Sequence, residues 1–160
     1  MKRLMKLLVL SLVALGTAAG CNEKQSKQSE PAAPKPKMVT PTSVVIVPDS
    51  VKGKWKAVKV EVSDKVTKRQ QVYTIGIGQE LKLPDSDITL KVENFLPHFV
   101  MEGTTFTSQS NELVNPAVQL SVRERGQEIY RGWLFGLYPA THAFQHSQYG
   151  FTLVDYLPAG

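Results

Sequence analysis

Short runs of alternating apolar and polar residues dominate the chain after residue 43. In the clearest of them, Val58, Val60 and Val62 alternate with Lys59 and Glu61. Further runs of the same period place apolar residues at Tyr73, Ile75 and Ile77, at Leu81 and Leu83, at Ile88, Leu90 and Val92, and at Val118, Leu120 and Val122. Successive side chains of a β-strand point to opposite faces, so this period predicts strands that are buried on one face.

Turn-forming segments separate these runs, at residues 63–65, 84–87 and 124–127. In the last of them, Gly126 is expected to take the positive φ of a tight hairpin. Val44 to Val47 adds a candidate strand that ends at Pro48. Residues 43–160 therefore predict an all-β domain, a single antiparallel sandwich or small barrel of about seven or eight strands.

Two runs are apolar at consecutive positions, at residues 129–137 and 151–157. Strands that are covered on both faces have this pattern, so both runs are expected to lie centrally in the core. The stretch 139–145 between them lacks alternation and predicts a loop or a single helical turn. The segment 94–106 is apolar without clean alternation, which indicates either a crossover loop over the core or an apolar groove for a partner or ligand.

The N-terminal residues predict an export signal. Lys2, Arg3 and Lys6 precede an apolar stretch at residues 7–19, which is shorter than the roughly 20 residues that span a bilayer. Residues 18–21, Ala-Ala-Gly-Cys, resemble the lipobox of bacterial lipoproteins, in which the cysteine is lipidated. The alternative is a secreted protein that is cleaved near this point and keeps a free thiol.

The residues that follow the cysteine predict a spacer. Residues 1–20 are then a lipoprotein signal peptide, and residues 21–42 comprise the lipidated Cys21 and a disordered tether rich in Pro and Lys. An extended proline-rich tether of this length reaches roughly 60 Å. Asn22 after the cysteine resembles the sorting signal for the outer membrane, so we expect the domain to be anchored there and to face the periplasm.

The net charge of +5 arises outside the β domain, because residues 43–160 hold 12 basic and 12 acidic side chains. This balance gives no electrostatic support for a nucleic-acid partner. Lys52, Lys54, Lys56 and Lys59 concentrate basic charge in one stretch. They predict a solvated sheet edge that resists aggregation, or a patch for anionic lipid headgroups or acidic partners.

Catalytic and cofactor motifs are sparse, and the sequence assigns no catalytic residue and no cofactor. Cys21 is the one cysteine, so the domain has neither a thiol nucleophile nor a disulfide. His142 and His146 are four residues apart and, with His98 or an acid, would supply metal ligands; the alternative is loop imidazoles that are hydrogen-bonded to backbone. The candidate binding residues are Trp133, Tyr138, His142, His146 and Tyr149.

A family resemblance rests on residues 129–135, Ile-Tyr-Arg-Gly-Trp-Leu-Phe, followed by Pro139, His146 and Tyr149. This pattern resembles the C-terminal signature of a bacterial envelope family termed domain of unknown function 2155. The resemblance implies an exported β-rich domain with no established activity. The chain departs from the family pattern at Leu134, Ser147 and Gly150.

These observations favour an envelope lipoprotein whose domain is a binding or assembly module rather than an enzyme, with the membrane and an envelope protein as partners. The alternative is a small-ligand or metal-binding domain that uses His142, His146 and the aromatic segment 94–106. A third hypothesis is an envelope hydrolase of unrecognised type.

Overall fold

The computed structural model describes residues 43–141 and 143–160, which form an all-β fold. The predicted signal peptide, Cys21, the tether and His142 lie outside these residues. The described strands are β1 (Val44–Val45), β2 (Trp55–Asp64), β3 (Gln70–Gly76), β4 (Glu80–Lys82), β5 (Ile88–Leu96), β6 (Phe99–Glu102), β7 (Thr105–Ser108), β8 (Ala117–Glu124), β9 (Gln127–Phe135) and β10 (Tyr149–Pro158).

The strands form three sheets. A four-stranded sheet has the order β4-β5-β8-β9, and a three-stranded sheet, here called the β2 sheet, has the order β10-β2-β3. Both are antiparallel. A small sheet has the order β1-β7-β6, with β1 parallel to β7. The all-β prediction is confirmed, although the described residues hold ten strands rather than seven or eight, and one pair is parallel.

The main core lies between the four-stranded sheet and the β2 sheet. The alternating residues that the sequence assigned to a buried face lie there, with Val58 and Val60 of β2 opposing the face that carries Leu90 and Leu120. All four side chains are fully buried. The two sheets therefore pack face to face as a sandwich, whose core is built from the period-two runs.

A second core cluster lies on the opposite face of the four-stranded sheet, where the small sheet covers it. Leu96, Ala117 and Trp133 form this cluster, with Phe99 and Phe106 of the small sheet packed against it. Consecutive residues of one strand thus belong to different clusters: Trp133 lies in this second cluster, and Leu134 lies in the main core. This double burial explains the consecutive apolar residues at 133–135. Ile129 and Leu137, at the two ends of the predicted apolar run, are exposed instead.

The position of three strands corrects the sequence analysis. The strands β9 and β10 are the terminal strands of their sheets, not central ones, and Val154 on the second face of β10 is exposed. The strand β2 is central in its sheet, so Lys56 and Lys59 do not mark a sheet edge. Lys59 instead pairs with Asp155 on the neighbouring strand β10, at 2.8 Å.

The segment 94–106 covers a core, as one of the two interpretations expected, but it is not a loop. It holds the end of β5 and most of a hairpin formed by β6 and β7, which turns at Gly103 with φ of +61°. The predicted turn at 124–127 is also a hairpin, and Arg125 as well as Gly126 has positive φ. In residues 43–141 and 143–160, no helix is long and apolar enough to cross a membrane.

Candidate binding site

An apolar groove of about 530 Å³ opens where the small sheet meets β9. We call it the aromatic groove and define it by Phe99, Met101, Phe106, Trp133 and Phe135. The hairpin β6–β7 supplies the first three residues, and β9 supplies the other two. The groove therefore joins the apolar segment 94–106 to the run at 129–135, which the sequence alone did not bring together.

The walls of the groove are a packed set of aromatic rings centred on Phe99. Its ring centroid lies 5.1 Å from that of Trp133, 5.2 Å from that of Phe135 and 5.5 Å from that of Phe106. These spacings fall in the range of favourable aromatic pairs. The rings support one another, so the groove is a preformed surface of the fold.

One side of the groove remains open to solvent. Met101 has 65% of its surface exposed, although it pairs across the hairpin with the half-buried Phe106. Thioether side chains adapt to irregular apolar surfaces, and they are used at binding faces for that reason. Met101 is thus the accessible member of the groove, and its substitution would leave the packed rings in place.

The charged residue beside the groove is already neutralised by its neighbours. The guanidinium of Arg131 lines the groove and pairs with Glu93 and with Glu128, whose Oε2 atom lies 2.7 Å from Nη2. The hydrogen bond from Arg131, followed by that from Ser121, lowers the pKa of Glu128 from 4.5 to about 2. The rim therefore presents a compensated ion-pair network rather than a free positive charge.

His146 and Tyr149 contact each other outside the aromatic groove, at the start of β10. The His146 ring stacks between Phe144 and Tyr149, with centroid distances of 5.5 and 5.6 Å. Its Nδ1 atom accepts hydrogen bonds from the backbone N–H groups of Gln148 at 3.2 Å and Tyr149 at 3.1 Å. An Nδ1 atom that accepts carries no proton, so the neutral ring is protonated at Nε2.

This arrangement limits what His146 can bind. The Nε2 atom faces Glu124 at 3.8 Å, and it is the one ring nitrogen that is not committed to backbone. No group of three or more His, Cys, Asp or Glu side chains that would hold a metal occurs in the described part of the chain. His98, the third histidine, contacts Ser110 through Nδ1 at 3.0 Å.

The predicted binding residues thus separate into distinct places. His146 and Tyr149 contact each other, whereas Trp133 belongs to the second core cluster and the aromatic groove. Tyr138 is 60% exposed in the loop after β9. His142 lies outside the described residues.

A polar cleft of about 330 Å³ lies beside Tyr149, between the start of β3 and the turn after β4. Its lining mixes acids, amides and a guanidinium with the two tyrosines Tyr73 and Tyr149. Asp64 there accepts hydrogen bonds from the backbone N–H groups of Val66 and Thr67 and from the amide of Gln148. These bonds, the one from Thr67 first, hold the pKa of Asp64 below its usual value. The side chain of Asp64 therefore stabilises the turn at residues 64–67 by accepting hydrogen bonds from its backbone.

Comparison with known proteins identifies no relative: no family model, no curated protein and no solved structure matches the chain.

The candidate binding residues predicted from the sequence include Trp133, and the segment 94–106, for which an apolar groove was one of two interpretations, contains Phe99, Met101 and Phe106. The sequence did not connect this segment with Trp133 or Phe135. The signal for Phe99, Met101 and Phe106 was the apolar segment without clean alternation. That pattern arises because short strands at a sheet margin partly bury one residue and expose the next on the same face, as Phe99 and Met101 show.

Proposed function

We propose that this protein is a lipid-anchored component of a bacterial envelope, and that its β domain is a non-catalytic module that binds an apolar partner in the aromatic groove. Cys21 in its lipobox-like context supports the anchor. The resemblance to the domain of unknown function 2155 family supports export. The proline-rich residues 22–42 support a spacer between the membrane and the domain.

The observation that carries the binding role is the open aromatic groove itself. An apolar concave surface exposed to water is costly to maintain, and such surfaces in soluble domains are mostly interaction sites. Aromatic side chains and Met are also enriched at the centres of protein interfaces. Because Arg131 beside the groove is already paired, apolar contact rather than charge would select the partner.

Photo-crosslinking in cells tests the binding role. A photoreactive amino acid is placed at Met101 or Thr141, both at the groove, and at Val72 as the control. Val72 is also a large exposed residue, but it lies on the terminal strand β3 of the β2 sheet. The proposal expects one envelope protein, identified by mass spectrometry, to be captured from both groove positions and not from Val72. Equal capture from all three positions, or none, contradicts it.

Metabolic labelling tests the anchor. Cells that grow with a clickable palmitate analogue should label the full chain and retain it in the membrane fraction. The variant Cys21→Ser should lose the label and leave that fraction. An unlabelled wild-type chain would contradict the lipoprotein assignment without affecting the groove.

The metal-binding alternative has a narrower basis, because His146 has Nε2 alone to offer. Metal analysis of the purified chain, with and without alanine at His142 and His146, separates the two functions. Stoichiometric metal in the wild type that is lost in the double variant would favour the alternative.

A further inference from the structure

We infer that the strand β3 is a docking edge for a second copy of this chain, whose own β3 pairs with it antiparallel about a two-fold axis. The β2 sheets of the two copies would then form one continuous sheet. Residues 70–76 do not line the aromatic groove, so this pairing goes beyond the proposed binding function, and either can fail without the other. Three features of β3 carry it: a free backbone edge, the lack of charge and the match of its side chains in a symmetric pair.

The hydrogen bonds of β3 show which of its backbone groups are turned toward β2. The strand is terminal in its sheet and pairs with β2 alone. At one end of the pairing, the N–H group of Asp64 donates to the carbonyl of Arg69 at 2.8 Å. At the other end, the N–H group of Ile77 donates to the carbonyl of Lys56 at 3.0 Å. Antiparallel pairs alternate between hydrogen-bonded and non-hydrogen-bonded, so the odd-numbered residues of β3 face β2 with their backbone groups, and the even-numbered residues face away.

The outward backbone groups of β3 belong to Gln70, Val72 and Thr74. Within the part of the chain that the structure describes, these groups form no hydrogen bond. Gly76 differs, because its carbonyl accepts a hydrogen bond from the N–H group of Gln79 at 2.9 Å. The side chains of Gln70, Val72 and Thr74 are all exposed. A strand of polypeptide satisfies such a row of donors and acceptors.

The strand β3 lacks the features that keep a sheet edge from pairing. Natural proteins protect their edges with charged side chains, prolines, bulges or very short strands. The segment Gln70–Gly76 contains no charged residue and no proline, and its pairing with β2 shows no register shift. By contrast, β1 and β4 have two and three residues. The terminal strands β6, β9 and β10 carry charged side chains, at Glu102, Glu128, Arg131 and Asp155. Of the terminal strands in residues 43–141 and 143–160, β3 is thus the one that is both long and unprotected.

The composition of β3 suits a second copy of the same strand. In an antiparallel pair centred on Val72, the two Val72 side chains lie opposite each other, and Gln70 lies opposite Thr74. On the other face of the pair, Gln71 lies opposite Tyr73. Like charges that lie opposite each other destabilise a sheet, and a symmetric pair of neutral strands avoids them. The pairing uses the same edge of both copies, so the assembly closes as a dimer.

Disulfide trapping in the full chain tests this arrangement. The Cα atoms of the two Val72 residues would lie about 5.5 Å apart, a separation that a disulfide spans. Mild oxidation of membranes that contain Val72→Cys should therefore convert most of the chain to a dimer, with the 72–72 link identified by mass spectrometry. The matched control is Val154→Cys, an exposed valine on the other terminal strand of the same sheet. The wild type reports any dimer that forms through Cys21. A Val72→Cys dimer no more abundant than that of either control would overturn the inference.

The register has its own test. Gln70→Cys and Thr74→Cys, produced together with different tags, should link to each other and hardly to themselves. Linking of each variant to itself would indicate a parallel pair and would overturn the antiparallel arrangement.

A charge placed at the centre of the pair tests the stability of the dimer. Val72→Lys should raise the dissociation constant of the full chain in detergent at least about tenfold, because two cations would lie opposite each other. Analytical ultracentrifugation measures this constant, and Val154→Lys should leave it unchanged. A monomeric wild type, or equal effects of the two substitutions, would count against the pairing.

Photo-crosslinking identifies the occupant of the edge. A photoreactive amino acid at Val72, the control position for the groove, should capture this chain itself. Capture of a different protein from Val72 would assign the edge to a foreign strand and overturn the second copy, without affecting the proposed role of the groove.

Discussion

The phenol of Tyr130 lies across the Cα atom of Gly132, two residues along the same face of β9. A Cβ atom at residue 132 would overlap the Oη and Cζ atoms of the tyrosine. The aromatic ring thus covers the glycine and supplies the packing that its missing side chain would give. A glycine is therefore required at residue 132 because the Tyr130 ring occupies the space that a side chain would need.

Replacement of this glycine tests the relationship. Gly132→Ala should destabilise the domain by about 1–3 kcal/mol, because the methyl group forces the Tyr130 ring out of its position. Urea unfolding measures the free-energy change. The control is the same substitution in a Tyr130→Leu background, where the penalty should shrink. Strictly additive effects of the two substitutions would show that the ring is not the obstacle.

A substitution in the turn between β8 and β9 should increase the stability of the domain. Arg125 has φ of 51° and Gly126 has φ of 82°, a pair of conformations that Asn-Gly adopts more readily than Arg-Gly. We expect Arg125→Asn to raise the free energy of unfolding by about 0.5 kcal/mol, because the exposed ion pair from Arg125 to Asp87 contributes little. By contrast, Gly126→Ala should lower it by about 1–2 kcal/mol. Thermal unfolding measures whether each variant is more or less stable than the wild type. A loss of stability in Arg125→Asn would contradict the prediction.

The ion-pair network beside the groove predicts a dependence on acid pH. The hydrogen bonds from Arg131 and Ser121 lower the pKa of Glu128 from 4.5 to about 2 in the fold. A carboxyl whose folded-state pKa is lowered stabilises the fold above its unfolded value, and this stabilisation is lost as the pH falls. The contribution of Glu128 should therefore be complete above pH 4.5 and should disappear as the pH falls toward 2.

Urea midpoints measured across that pH range test this expectation. The variant Glu128→Gln should lose less stability on acidification than the wild type. The control is Glu102→Gln, because Glu102 is exposed at the end of β6 and has no ion pair with any described residue. Parallel pH profiles for the wild type and Glu128→Gln would refute the role of the network.

His146 should act as a structural acceptor. Loss of its Nδ1 atom leaves the N–H groups of Gln148 and Tyr149 without their partner, so His146→Leu should cost about 1–3 kcal/mol in the free energy of unfolding. In His146→Asn, the side-chain oxygen can take the place of Nδ1, and part of the loss should be recovered. Chemical denaturation compares the two variants, and equal losses would show that ring stacking alone accounts for the role of His146.

The strands that are easiest to predict from the sequence carry one alternating set of apolar residues. The strand β2 buries Val58, Val60 and Val62 in the main core, whereas Lys59 and Glu61 between them are partly exposed, and the period of two is directly visible in the sequence. The hairpin β6–β7 was missed because its strands are short and partly exposed, so Phe99 and Met101 do not share a buried face. Alternation in a sequence arises from the burial of one strand face, and most residues of β6 and β7 are partly buried or exposed.

The binding site was harder to predict because it depends on the order of strands. The run at 129–135 indicated two covered faces, which is correct at residues 133–135 alone, and a terminal strand beneath a third sheet has the same pattern there as a central strand. Trp133 was grouped with His146 and Tyr149 as a candidate binding residue, but its ring packs with those of Phe99 and Phe106. Which strands become neighbours depends on long-range pairing that local periodicity does not encode.

Burial on both faces of the four-stranded sheet also affects how its strands find their alignment. A slip of one residue normally exposes a whole apolar set, which makes the shifted pairing unstable. At Ala117 and Val118 a slipped strand would still bury an apolar residue on either side. At this end of β8, alignment is also supported by polar partners, such as the amides of Asn94 and Gln119, 2.7 Å apart, and the bond from the buried Ser121 to Glu128 at 2.8 Å. A shift of β8 by one residue would break both hydrogen bonds, so these polar side chains disfavour the shifted pairing.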